Sequence, residues 1–90
     1  MRSYAMKQFD YVITDPEGIH ARPAGELIRI AKTFHCNITI TKENQTGDCK
    51  KIFSLMGLAI KKGQKVTLRF EGDDEDAACG TLREYMQNNL

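Results

Sequence analysis

Gly18-Ile19-His20-Ala21-Arg22-Pro23-Ala24-Gly25-Glu26-Leu27-Ile28-Arg29-Ile30-Ala31 is where the hydrophobic period of this chain changes. Ala24, Leu27, Ile28 and Ala31 stand at i, i+3, i+4 and i+7, the spacing of one helix face. Glu26, Arg29 and Lys32 lie off that face. Pro23 fits a first helical turn, where its missing N–H costs nothing. The spacing therefore predicts a helix starting near Ala21, with His20 at or beside its N-cap.

On the N-terminal side, Phe9, Tyr11 and Ile13 alternate with Asp10, Val12 and Thr14, which predicts a strand. Asp15-Pro16-Glu17-Gly18 then supplies dense turn chemistry before the helix. On the C-terminal side, Asn37 to Thr41 reads N-I-T-I-T, a second strand, and a weaker third is expected near Gln45 to Cys49 after a polar turn. Ile52, Phe53, Leu55, Met56, Leu58 and Ala59 form a short apolar helical stretch, with Lys62-Gly63 as its expected C-terminal stop. Val66, Leu68 and Phe70 alternate again. Asp73 to Asp76 then give an acidic first turn to a terminal helix carrying Ala77, Ala78, Leu82, Tyr85 and Met86.

The order is β-α-β-β-α-β-α. So few strands cannot make two packed sheets, and one sheet with helices on one face is the economical architecture. Residues 1–5 are expected to be an N-terminal extension, a tag or an alternative start before Met6, and 6–90 a single domain. Neither the length of 90 residues nor the charged fraction of 28% departs from an ordinary globular domain. A formal net charge of +1 gives no general attraction to nucleic acid or anionic membrane. No apolar run approaches the length of a membrane span, and residues 1–5 lack a signal-peptide core, so a cytoplasmic location is expected. Cys36, Cys49 and Cys79 are widely spaced and odd in number, which favours free thiols over a disulfide framework or zinc site.

The chemistry concentrates at the helix start. A histidine at an N-cap sits beside backbone N–H groups that have no intrahelical acceptor, at the positive end of the helix dipole. That setting disfavours a cation and leaves a ring nitrogen as a nucleophile. Arg22 adds a planar charged fork suited to phosphate oxygens. Gly18 allows a tight turn into the site, and the Ala21 and Gly18 backbone is expected to face a bound phosphate. No second acid or base, metal ligand set or nucleotide-binding loop accompanies His20, so no metal or cofactor is expected. From these residues alone, a polar cap and a phosphoryl-bearing histidine are both readings of His20.

Gly18-Ile19-His20-Ala21-Arg22-Pro23-Ala24 resembles, without a gap, the active-site signature of HPr, the histidine-containing phosphocarrier family of the bacterial sugar phosphotransferase system. Lys50-Lys51-Ile52-Phe53-Ser54-Leu55-Met56-Gly57-Leu58 resembles that family's second signature. The resemblance spans about residues 6 to 88 and implies an α+β open-faced β-sandwich: a four-stranded antiparallel sheet with three helices on one face. It further implies a carrier rather than a stand-alone catalyst. His20 would accept a phosphoryl group on Nδ1 from phospho-Enzyme I, charged by phosphoenolpyruvate, and donate it to EIIA domains of sugar permeases. Arg22 would steady the group in transit. Ile52, Phe53 and Met56 would form an apolar docking patch, with Arg29 and Lys32 as a basic rim, while Leu55 and Leu58 are expected in the core. A monomer meeting its partners transiently is expected.

Many relatives carry a regulatory serine at the start of the second helix. Lys51 stands there instead, with Ser54 three positions on, so serine-kinase regulation is expected to be absent. Carriers of a nitrogen-related or dihydroxyacetone-kinase-type branch share this site chemistry. Binding-only regulatory relatives lack the histidine. Elsewhere, His35 and the Asp73 to Asp76 run are expected to be structural. Lys61, Lys62 and Lys65 lack the aromatic partners of a nucleic-acid surface.

Overall fold

Strands β4 (Lys65–Glu71) and β2 (Asn37–Lys42) pair as the centre of one sheet, in a computed structural model that describes residues 7–90. The expected extension over residues 1–5 lies outside the described residues. Val66, Leu68 and Phe70 of β4 and Ile38 and Ile40 of β2 are buried on one face. Thr39, Thr67 and Arg69 occupy the other, as a strand period of two requires. Strand β1 (Lys7–Val12) flanks β4, and β3 (Gln45–Asp48) flanks β2. The order is β1-β4-β2-β3, with every neighbouring pair antiparallel. Phe9 of β1 lies opposite Leu68 and stacks diagonally on Phe70 at 5.9 Å between ring centroids. The open face is polar, with Thr67 Oγ1 donating to Asp10 at 2.6 Å and a Thr41–Thr46 hydroxyl pair at 2.9 Å.

Helices α1 (Ala21–Ala31), α2 (Ile52–Met56) and α3 (Glu75–Asn89) cover the apolar face. Helix α1 buries Pro23, Ala24, Leu27, Ile28 and Ala31, the stripe its spacing predicts. Helix α3 buries Ala78, Leu82 and Met86 and lies against β1 and β4, while α1 packs between α2 and α3. The result is the α+β open-faced sandwich in β-α-β-β-α-β-α order. Among the described residues, no helix is long and apolar enough to cross a membrane.

Two details differ from the sequence reading. Helix α2 ends at Met56, before the Lys62-Gly63 stop. Gly57 caps it, Leu58 and Ala59 make tighter i→i+3 bonds, and Ala59 turns left-handed at φ 50°. The following residues are apolar because Leu58 and Ile60 fold back into the core, which hydrophobic content alone cannot distinguish from a longer helix. Gly63, at φ +86°, serves another turn and donates its N–H to Ile13, tying this loop to the end of β1.

The second detail concerns the acidic run. Asp74 sits at the N-cap of α3 but does not cap that helix with its side chain. Its carboxylate instead accepts the His35 N–H at 2.7 Å and the Cys36 N–H at 2.9 Å. The chain there is so close that a Cβ on Gly72 would lie 2.7 Å from Cys36 Cα. Glu75 bonds back to the Gly72 N–H at 3.1 Å.

Candidate functional site

The loop between β1 and α1 is held from several sides. Asp15-Pro16-Glu17-Gly18 forms a turn in which Gly18 N–H donates to the Asp15 carbonyl at 2.9 Å. Asp15 Oδ1 accepts the Glu17 N–H at 2.8 Å, an Asx turn that aims the carboxylate. Gly18 adopts φ +69°, and a Cβ there would sit 2.2 Å from the Ile60 carbonyl oxygen. Buried Ile19 donates its N–H to that same oxygen at 3.0 Å. The Leu90 carbonyl oxygen accepts the N–H of Thr14 at 2.5 Å, that of Asp15 at 2.9 Å and the Thr14 hydroxyl at 3.0 Å. The α2–β4 loop and the end of α3 thus fix the segment that presents His20.

His20 is the N-cap of α1 in an extended conformation, and its carbonyl accepts the Ala24 N–H at 3.0 Å. Its side chain makes no capping bond and is half-exposed. Nε2 lies 3.7 Å from Asp15 Oδ2, and Nδ1 lies 3.9 Å from Glu17 Oε1. Both distances exceed hydrogen-bond length, so the carboxylates act through charge. In the sequence, Asp15 and Glu17 read only as turn residues. Their signal is an Asp-Pro-Glu-Gly turn short enough to fold back on the histidine.

His20 opens onto a shallow depression of about 180 Å³ lined by Asp15, Arg22, Pro23, Glu26, Tyr85 and Asn89. Arg22 is exposed there and has no ion pair among the described residues. The N–H groups of Ala21 and Arg22 have no intrahelical acceptor, and Pro23 has none to offer. The Gly18 N–H, by contrast, donates to the Asp15 carbonyl within the turn. Tyr85, from the far end of the chain, was not singled out as a site residue. Its hydroxyl donates to Glu26 Oε1 at 2.7 Å. A nucleophilic imidazole, a guanidinium and two free amides can together hold a phosphoryl group. Among the described residues, no three His, Cys, Asp or Glu side chains are arranged to hold a metal ion.

On α2, Phe53 is 88% exposed and Ile52 38%, with Met56 half-buried and Leu55 and Leu58 in the core. Arg29 and Lys32 are exposed at the end of α1, which packs beside α2. Lys51 is the α2 N-cap, and Ser54 Oγ accepts the Asp48 N–H at 2.8 Å. His35 lies three residues beyond the α1 C-cap and is exposed.

A family model described as the phosphotransferase-system HPr component phosphorylation site matches residues 7–88. The phosphocarrier protein HPr of Lysinibacillus sphaericus is 44% identical over 77 residues, covering 86% of this chain and 88% of that protein. HPr of Mycoplasma capricolum is 40% identical over 81 residues, covering 90% and 91%. A solved Mycoplasma histidine-containing phosphocarrier protein superposes with a TM-score of 0.89 at 38% identity, covering 91% and 93% of the two chains. A match this long in both sequence and fold settles the family: the chain belongs to the HPr family and is a phosphocarrier of the phosphotransferase system.

Proposed function

We propose that His20 accepts a phosphoryl group on Nδ1 from phospho-Enzyme I, charged by phosphoenolpyruvate, and donates it to EIIA domains of sugar permeases. One observation carries this reading. The His20 side chain makes no capping bond to α1, and its imidazole lines the same depression as Arg22. Asp15 lies on the Nε2 side and favours the tautomer that keeps the proton there, leaving the Nδ1 lone pair to attack. As the N–P bond forms, the bond from phosphorus to the donor breaks and the donor atom keeps its electron pair. Arg22 and the free amides of Ala21 and Arg22 then face the new dianion. The exposed Glu17 must swing aside to admit it.

Ile52, Phe53 and Met56 form the docking patch in this proposal, and Arg29 and Lys32 steer acidic partners to it. The carrier works as a cytoplasmic monomer, since one face must meet several partners in turn. Regulation through a serine at the start of α2 is absent. Lys51 cannot take the modification, and the Ser54 hydroxyl already accepts an internal hydrogen bond.

Mixing the protein with Enzyme I and phosphoenolpyruvate tests the carrier reading. Acid-labile, base-stable phosphate is expected on the wild type and not on His20→Ala. Equal labelling of the variant overturns the assignment. Onward transfer to sugar-permease EIIA domains, compared with nitrogen-branch acceptors, identifies the branch. Incubation with the regulatory kinase and ATP is expected to leave Ser54 unmodified, and stoichiometric label there overturns that point.

A further inference from the structure

Arg22 and Glu26 stand at i and i+4 on an exposed helix face, the spacing at which an arginine and a glutamate ordinarily pair. They do not pair here. No ion pair joins them among the described residues. Glu26 Oε1 instead takes a 2.7 Å hydrogen bond from the Tyr85 hydroxyl of α3. The Pro23 carbonyl, at 3.4 Å, is the weaker acceptor for that one proton. Tyr85, Glu26, Arg22 and His20 line one depression.

We propose that Tyr85 is a positioning residue for phosphoryl transfer: it holds the Glu26 carboxylate on α3 and so keeps the Arg22 guanidinium free for the phosphoryl group. The proposal rests on His20 as acceptor and Arg22 as its phosphate partner. Burial, and then the Glu26 carboxylate, push the Tyr85 phenol above its ordinary range, so it stays a donor at any working pH. Without the hydroxyl, Glu26 is released. It then competes with the phosphoryl dianion for Arg22 and adds a negative charge beside the dianion. An exposed i,i+4 pair is weak, so the effect on transfer is about two- to threefold.

The test measures the rate of phosphoryl uptake from phospho-Enzyme I in His20→Ala, Arg22→Gln, Tyr85→Phe and the Tyr85→Phe/Glu26→Gln double variant. Tyr85→Phe is expected to slow uptake by about two- to threefold relative to wild type, less so as salt screens the released pair. Glu26→Gln in that background is expected to restore the rate, which repair of a merely structural contact would not do. A wild-type rate in Tyr85→Phe, or no rescue in the double variant, overturns the role of Tyr85. Uptake by His20→Ala, or no loss in Arg22→Gln, overturns the underlying reading of the site instead.

Discussion

The two ring nitrogens of His20 face unlike surroundings. Asp15, on the Nε2 side, is locked by its own Asx turn, whereas Glu17, on the Nδ1 side, is largely exposed and free to move. A charge near 4 Å at an exposed site interacts weakly, yet here it lies where a dianion is proposed to arrive. Glu17 therefore opposes the loaded state and favours giving the group away. Glu17→Gln is expected to shift the equilibrium with phospho-Enzyme I toward the loaded carrier by about two- to fivefold, with the larger effect at low salt. Quantifying phosphohistidine on both proteins at equilibrium checks this, and an unchanged or lower loaded fraction contradicts it. Much of this site was legible from residue order. A histidine directly before a helix with an arginine two positions on is a local pattern. The carboxylates were not, because a turn that folds back onto the histidine looks in sequence like any other turn.

Helix α2 shows how burial divides one apolar segment into a buried and an exposed part. Leu55 is 1% exposed and belongs to the core, while Phe53, two residues away, is 88% exposed. Phe53→Ser is expected to change folding stability by no more than about 0.5 kcal/mol while weakening Enzyme I binding by about tenfold. Leu55→Ala is expected to cost about 2–5 kcal/mol of stability. Urea melts and the Enzyme I concentration dependence of phosphorylation separate the two. The junction between α1 and β2 is governed from another element. Asp74 accepts two successive amides there, and the His35 N–H bond is the chief cause that holds its pKa below the ordinary carboxylate value. A carboxylate depressed on folding stabilises the protein fully above its ordinary value, and that contribution is lost as pH falls through the lower folded value. Asp74→Asn is thus expected to melt below wild type at neutral pH, with the gap closing on acidification below 4. A gap that persists in acid rules the clamp out. The periodicity of α1 and of strands β1, β2 and β4 reveals these elements because each buries one continuous face. The end of α2 and the Asp74 clamp escape the same reading. Both are set by long-range hydrogen bonds, between Ile19 and Ile60 and between the Asp74 carboxylate and Cys36, that leave no local period.

All three helices and strands β1, β2 and β4 contribute to one core, and the three cysteines sample it from different places. Cys36 precedes β2, Cys49 lies between β3 and α2, and Cys79 is on α3. All are free and buried. Burial pushes the Cys36 thiol up to about 11 and the Cys49 thiol up to about 12, so little thiolate is present in the native state at neutral pH. A sheet closed by α3 on β1 and β4, with the His20 loop bound to both the α2–β4 turn and Leu90, has few independent parts. Opening at one thiol should therefore require opening at the others. In increasing urea, the three thiols are expected to react with an aromatic disulfide reagent at one midpoint, coincident with loss of helical circular dichroism. Peptide mapping of the labelled protein distinguishes the sites. Early labelling of Cys79 alone would mean that α3 detaches first, taking Tyr85 and Leu90 from the His20 loop before the sheet unfolds. A single midpoint means that the His20 loop is as stable as the fold beneath it, which suits the proposed role of presenting one rigid surface to successive partners.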